Sequence, residues 1–292
     1  MSCAAPQSVV PFAVWQARRA AHLARVEPLL AARRTRAAAG VTHPVEEFLF
    51  TYYPFRLAAL ARWSPGWGVV LEGQPPEGER GWSASDTSFQ VAASERDDKV
   101  IKRVQFIKDL CAAVARRPAF HGCYGLHEWA MVYGSSAARR HTEWPLRLGA
   151  EGTDAVVAAS AVCCSHFDAF RFFTPEARPL NRLNPDREGR IANEQPGCIH
   201  VTMDLYKWTM KLGLLMPAEL AADTFALAAD ARAIDMRASP YDFSALGYEP
   251  IKIETPEGRL IYESEQRRLA AAATPLRSRL IAACDAVLGE VP

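Results

Sequence analysis

The fold class follows from one stretch, Cys198-Ile199-His200-Val201-Thr202-Met203-Asp204-Leu205-Tyr206-Lys207-Trp208, which predicts a helix. His200 and Asp204 are four residues apart, so on a helix they face the same way, and Lys207, Trp208 and Lys211 continue that stripe. Such a stripe is typical neither of an apolar core face nor of a solvated surface, and it suits the wall of a polar pocket. A capped, partly exposed helix is the alternative interpretation.

Helical patterns extend on both sides of this stretch. Apolar residues recur with helical spacing over residues 12–38, about 95–117, about 217–237, 257–273 and 275–289. Over residues 64–92, glycine and proline interrupt short apolar runs and predict a hairpin or irregular β segment. We therefore predict an α+β protein, predominantly helical, with a small β component. Residues 1–292 are expected to form a single domain, with an N-terminal subdomain over residues 1–94 as the alternative.

Charge and composition exclude some partners. The 292 residues include 34 Lys and Arg and 33 Asp and Glu, so the chain has no overall attraction for nucleic acid or membrane. The first 40 residues, however, hold six arginines and one acid, Glu27, which predicts a solvated helix face, a phosphate contact or a targeting segment. No run of about 18 apolar residues predicts a membrane span. Seven cysteines without a disulfide-scaffold spacing favour a reducing cytoplasm.

A second candidate segment is Gly125-Leu126-His127-Glu128-Trp129-Ala130-Met131. The pair His127-Glu128 is similar to the start of the helical zinc motif His-Glu-x-x-His, but Met131 takes the place of the second histidine. His127 and Glu128 thus remain candidate catalytic residues without a complete zinc motif. A structural histidine hydrogen-bonded to a carboxylate is the alternative.

A third segment is Cys163-Cys164-Ser165-His166-Phe167-Asp168-Ala169-Phe170-Arg171-Phe172-Phe173. In an extended chain Cys164, His166 and Asp168 would share one face, because side chains alternate along a strand. His166 and Asp168 could then form an oriented acid–base pair or bind a metal. The aromatic residues are expected to be either core or a base-stacking surface.

A metal centre is one alternative for these segments. The pairs Cys164/His166 and Cys198/His200 have donors that zinc accepts, although not in the usual spacing. A non-haem iron site would use His127, His166, His200 and a carboxylate. Nucleotide-triphosphate, dinucleotide and α/β-hydrolase functions are disfavoured, because their glycine-rich and nucleophile motifs are absent from the sequence.

Nearly the whole chain resembles a bacterial family, common in actinobacteria, whose members are usually labelled 3-methyladenine DNA glycosylase. The matching stretches are His43-Pro44-Val45-Glu46-Glu47-Phe48-Leu49-Phe50-Thr51-Tyr52-Tyr53, Gly125 to Tyr133, Ser165 to Phe173, Met203 to Trp208 and Asp235-Met236-Arg237-Ala238-Ser239-Pro240-Tyr241. The resemblance implies an N-glycosidic hydrolase of DNA repair that releases an alkylated purine. It assigns no catalytic residues, so these are taken from the sequence patterns alone.

Under this hypothesis the partner is DNA and no cofactor is needed. Asp204 would activate water or stabilise the sugar cation, and His200 would tune the Asp204 carboxylate. The remaining catalytic candidates are His166, Asp168, His127 and Glu128. The extruded base and nearby phosphates would be contacted by residues drawn from Tyr52, Tyr133, Phe170, Arg171, Lys207 and Trp208.

Two other hypotheses compete with the glycosylase. One is an enzyme that acts on a small molecule with iron or zinc, using His127, His166 and His200 together with Asp168 or Asp204. The other is a non-catalytic binding protein, in which the three histidines lie apart. The sequence does not constrain the oligomeric state. Both enzyme hypotheses require the three imidazoles to meet in space.

Overall fold

Residues 9–134, 139 and 141–289, which a computed structural model describes, form eleven α-helices and four short strands. The helices are α1 (Phe12–Ala38), α2 (Phe48–Thr51), α3 (Leu57–Ala61), α4 (Asp98–Arg116), α5 (Leu126–Ala130), α6 (Gly149–Ala158), α7 (Phe167–Phe170), α8 (Arg190–Asn193), α9 (Ile199–Leu212), α10 (Ala218–Arg237) and α11 (Pro256–Leu288). The strands are β1 (Val9–Val10), β2 (Val70–Glu72), β3 (Trp82–Ala84) and β4 (Ser88–Val91). The predicted fold class, α+β and predominantly helical with a small β component, is confirmed.

The N-terminal helix α1 has the bounds that its sequence predicts. Trp15, His22, Val26 and Leu30 recur at helical spacing and are the buried residues of the helix. The opposite face carries the arginines. Apolar periodicity therefore identifies the face that α1 buries as far as Leu30, and the helix continues to Ala38 without further buried residues.

The arginines of α1 are used within the protein. Arg18 pairs with Glu219 at 3.0 Å and Arg25 with Asp223 at 2.5 Å, which ties α1 to α10. Others pair with acids outside α10, namely Arg19 with Glu79, Arg33 with Glu47, and Arg36 with Glu46 and Glu47. The basic face is consequently neutralised by ion pairs within the chain.

The strands form one small mixed sheet in the order β1-β2-β4-β3. β1 is parallel to β2, and the remaining pairs are antiparallel, with Leu71 opposite Phe89. These two side chains pack with Trp15 and Trp63 in a buried cluster, so the sheet rests on α1. The predicted β segment over residues 64–92 is confirmed.

The central helix is α9, which packs against α10, α11 and α4. Only Met210 and Lys211 of its residues are not buried. Helix α11 begins where Thr255 caps the backbone N–H of Gly258 at 3.0 Å. Because α9 is enclosed on several sides, its polar residues lie inside the protein.

The sequence predicts two helices after residue 256, and this prediction is wrong. A single helix continues through Pro275 to Leu288. A proline removes one hydrogen bond, but Leu269 and Ala273 before it and Leu280 after it are buried against neighbouring helices. Tertiary packing on both sides therefore outweighs the local cost. None of the described helices combines the length and apolar composition needed to span a lipid bilayer.

Candidate active site

Three helices bring two histidines and an aspartate together. His127 lies on α5, His200 on α9 and Asp235 on α10, and all three are buried. Trp129 donates its indole N–H to the carbonyl of Ala238 at 2.8 Å, which fixes α5 against the end of α10. Among the described residues this is the set of three His, Cys, Asp or Glu side chains whose ligand atoms all lie within 4.8 Å of one another.

The local backbone at α5 depends on glycine. Gly125 precedes the helix with a φ of 70°, a backbone conformation that residues with a side chain rarely adopt. A Cβ there would also lie 3.1 Å from the hydroxyl of Tyr262. This tight turn starts α5 where its second residue, His127, faces α9 and α10.

His127 and Asp235 are in close contact, with a geometry that departs from that of a regular hydrogen bond. His127 Nε2 lies 2.8 Å from Asp235 Oδ1. Both atoms are fully buried and neither makes a hydrogen bond of regular geometry to the described residues, and the carboxylate is close enough to raise the pKa of His127. The ring of His200 meets that of His127 edge-on, with centroids 4.4 Å apart. Two nitrogens and one oxygen thus surround a common point.

Arg232 holds the other oxygen of Asp235. One nitrogen, Nη1, donates to Asp235 Oδ2 at 3.0 Å and to Glu128 Oε1 at 2.8 Å. The guanidinium lies 3.8 Å from the ring centroid of Phe48 and is buried. Asp235 is therefore fixed with Oδ1 directed toward His127, and two buried carboxylates share one guanidinium.

A pocket of about 520 Å³ lies beside this group. His200, Glu128 and Arg232 line its inner part. The walls are largely aromatic and apolar, with contributions from Phe48, Tyr52, Phe172, Met131 and Val132. A volume of this size suits a small organic molecule.

A second buried cluster lies next to the first and consists mainly of ion pairs. Lys207 contacts Asp204 and lies 2.9 Å from Asp168. Arg190 also pairs with Asp168, and Tyr53 donates its hydroxyl to Asp204 Oδ1 at 2.7 Å. Asp168 reaches the pocket, whereas Asp204 lies behind it, 1% exposed. Asp204, the main catalytic candidate named from the sequence, thus lies inside the protein and stabilises the cluster through its contacts with Lys207 and Tyr53.

His166 connects the two clusters. Its ring stacks on His200 with centroids 5.2 Å apart, while its Nε2 lies 3.4 Å from Asp204 Oδ2 and 3.7 Å from Glu194 Oε1. Both oxygens of Glu194 are buried without a hydrogen bond among the described residues. The three imidazoles named from the sequence therefore meet, but His166 faces Asp204 rather than Asp235.

Burial and neighbouring charges shift the pKa values of these groups. Burial and the adjacent His127 lower the pKa of His200 well below its usual value. Burial also acts to lower the pKa of His127, but the Asp235 carboxylate outweighs it and the net shift is upward. Burial opposes ionisation of Asp204, yet the Lys207 ammonium holds the pKa of that carboxyl well below its usual range. Asp204 and Lys207 are accordingly a charged pair at neutral pH.

Cysteines lie on the far side of the two histidines. A cavity of about 10 Å³ there is lined by His127 and His200 together with Cys123, Cys164 and Cys198. Burial raises the pKa of each of these thiols, so they are protonated and unreactive at neutral pH. The ligand set within 4.8 Å includes none of them, unlike the zinc pairs considered from the sequence.

The other sequence-predicted binding residues are divided among the pocket, the core and, for Arg171, the surface. Tyr52 lines the pocket. Phe170 packs against Phe173, and the Trp208 ring lies under the Lys207 ammonium at 4.2 Å. Tyr133 packs against the core, and Arg171 contacts Asp168 at 3.4 Å. Of these five, only Tyr52 is among the pocket-lining residues.

The predicted extended conformation of residues 164–168 is wrong in part. Asp168 lies in the short helix α7, for which His166 is the capping residue. The helical turn directs Asp168 toward Lys207 and the pocket, whereas Cys164 and His166 face the interior. Alternation along a strand therefore does not apply beyond His166.

Sequence reasoning did not select Asp235 and Arg232. Both lie on α10 three residues apart, and both are buried beside Ala228 and Ala231. Two charges within an otherwise apolar helix face are the signal that could have identified them, since buried charges need partners. The partners are 100 or more residues away in sequence, so periodicity alone could not supply them.

No family model, curated protein or solved structure matches this chain. A function is therefore inferred from the chemistry of the side chains in the pocket and in the cluster behind it.

Proposed function

We propose that the protein is a metal-dependent enzyme that binds Fe(II) or Zn(II) through His127, His200 and Asp235 and acts on a small molecule in the adjoining pocket. Two histidines and one carboxylate are a donor set used by non-haem iron and catalytic zinc sites. The set leaves coordination positions open for substrate. The bound ion would supply Lewis acidity for hydrolysis or redox chemistry for oxidation.

The arrangement of His127 and Asp235 carries this proposal. Nε2 and Oδ1 are 2.8 Å apart, fully buried and in a geometry that departs from that of a regular hydrogen bond. Two ligands of one metal ion have this arrangement, because each directs a lone pair at the ion and not at the other ligand. The spacing is close to the roughly 3.0 Å between adjacent ligands of an octahedral ion with bonds of about 2.1 Å, and is shorter than the roughly 3.4 Å of a tetrahedral ion.

Two features of the surroundings support the same proposal. Arg232 fixes the second oxygen of Asp235, as the outer partners of metal ligands commonly do. Glu128 and Asp235 share that single guanidinium, so with a neutral, metal-binding His127 a cation at this point would balance the excess of negative charge. His200 lies on the pocket wall, which would give substrate access to the ion.

Metal titration tests the proposal. Protein purified without an affinity tag and stripped with chelator should bind about one equivalent of Zn(II) or Fe(II), measured by elemental analysis and calorimetry. Asp235→Asn should abolish this binding. Asp230→Asn is the matched control, because Asp230 lies on the same helix but pairs with Arg268 at the surface. Less than about half an equivalent in the wild type, or equal binding by Asp235→Asn, would exclude the centre.

A DNA glycosylase of the kind that the sequence resemblance implies is the second candidate. The pocket volume and the rings of Tyr52 and Phe172 suit an extruded purine, and the Asp168 carboxylate lies at the pocket wall. The metal enzyme is preferred to it for two reasons. The arginines of α1 that would contact DNA are paired with acids of the protein, and Asp204 is enclosed. Release of 3-methyladenine from alkylated DNA in EDTA, abolished by Asp168→Asn, would favour it over the metal enzyme.

A further inference from the structure

Three aromatic rings line one side of the pocket. The rings of Phe48 and Tyr52 stack with centroids 4.8 Å apart and planes within 11° of parallel. The Phe172 ring lies 6.3 Å from that of Tyr52, is tilted by 60° from it and is 39% exposed. Arg232 covers Phe48 at its inner end. An aromatic substrate could therefore pack against these rings with one end near His200.

The charges at the outer pocket are balanced by partners within the protein. Glu47 is paired with both Arg33 and Arg36. Asp168 is paired with Lys207 and Arg190. Glu46 also pairs with Arg36, and Asp204 also pairs with Lys207, so these two groups together carry no net charge. Charge selection therefore falls to the inner end of the pocket.

The inner end has an uneven charge count. Glu128 and Asp235 contribute two negative charges and Arg232 one positive charge, and all three are buried. Imidazoles that bind a metal are neutral. A divalent ion at His127, His200 and Asp235 would therefore leave one net positive charge in a poorly solvated place. A single anionic group at an open coordination position would neutralise it.

We propose that the substrate is an aromatic molecule with one anionic oxygen group, such as a carboxylate, that binds the metal directly while its ring packs against Phe48, Tyr52 and Phe172. This inference rests on the proposed metal site. Glu128 sets the charge of the inner pocket, and the three aromatic rings set the shape of the substrate.

Four probes of differing shape and charge test the inference. Benzoate, benzamide and benzamidine share a ring and differ in charge, and acetate has the carboxylate without the ring. Calorimetry on the Zn(II)-loaded protein should show benzoate binding at least about tenfold more tightly than each of the others. Metal-free protein should bind benzoate no more tightly than benzamide. In the Co(II)-loaded protein, benzoate should shift the visible absorption bands, which reports direct coordination.

Two variants separate the charge from the shape. Glu128→Gln removes one negative charge from the inner pocket and should tighten benzoate binding severalfold, whereas Glu143→Gln at the exposed rim should not. Tyr52→Leu should weaken benzoate, benzamide and benzamidine alike but leave acetate unchanged.

The outcomes distinguish this inference from the proposed function. A protein that binds no metal refutes the proposed function itself. A protein that binds Zn(II) but prefers benzamide or benzamidine, or binds benzoate equally without metal, overturns the anionic group. Acetate as tight as benzoate overturns the aromatic part.

Discussion

Replacement of Lys207 by methionine should destabilise the protein without affecting metal binding. The ammonium lies 2.9 Å from Asp168 and contacts Asp204, and its side chain is only 9% exposed. Methionine keeps most of the apolar stem and removes the cation from between two carboxylates. Breaking a buried ion pair costs roughly 3–5 kcal/mol. Arg190 still pairs with Asp168 and Tyr53 still donates to Asp204, so we expect the lower end, about 3 kcal/mol.

Urea unfolding at pH 7, followed by circular dichroism, measures this loss. Lys211→Met is the matched control, since Lys211 is exposed and four residues further along α9, and it should change stability by no more than about 0.5 kcal/mol. Adding Asp204→Asn to Lys207→Met should cost less than the sum of the single changes, because the two groups interact. A loss below about 1 kcal/mol for Lys207→Met, or a parallel loss of Zn(II) binding, would refute the assignment of this cluster to stability.

Three further predictions concern other parts of the structure. Gly258→Ala should destabilise by about 1–3 kcal/mol in urea unfolding, because a Cβ would overlap the backbone carbonyl of Lys252; unchanged stability would contradict that packing. Lys207 holds the pKa values of Asp168 and Asp204 below the usual value despite burial, so their stabilisation is complete above about pH 5 and is lost as the pH falls further. A flat pH profile of unfolding free energy between pH 5 and about 2 would contradict it. Arg232→Met should weaken Zn(II) binding by about 10–100-fold in calorimetry, and wild-type affinity would show that the guanidinium does not position a ligand.

Local sequence patterns predicted the elements but not all of their limits. Helix α1 has its predicted bounds, and its buried apolar stripe runs from Trp15 to Leu30. Helix α11 continues through Pro275 because packing outweighs a missing hydrogen bond, which no local rule includes. The extended interpretation failed at Asp168, where a helical turn replaces the strand.

The candidate site was predictable only where chemistry and periodicity coincided. His200 and Asp204 drew attention because a helix places them on one face, and both are indeed buried on α9. Which carboxylate faces the histidines, however, depends on how α10 packs, and this brings Asp235 to His127. Long-range packing of this kind is not encoded in the spacing of residues along one helix.

The ion pairs of α1 have a consequence for synthesis of the chain. Arg18 and Arg25 find their partners, Glu219 and Asp223, about 200 positions later in the sequence. At elongation rates of about 5–20 residues per second, these two arginines are incorporated roughly 10–40 s before those acids. During that interval Arg18 and Arg25 lack their final partners, although Trp63, Leu71 and Phe89, which pack on Trp15, are made much earlier. The nascent protein thus presents two cationic side chains whose ion pairs form only once α10 has been made.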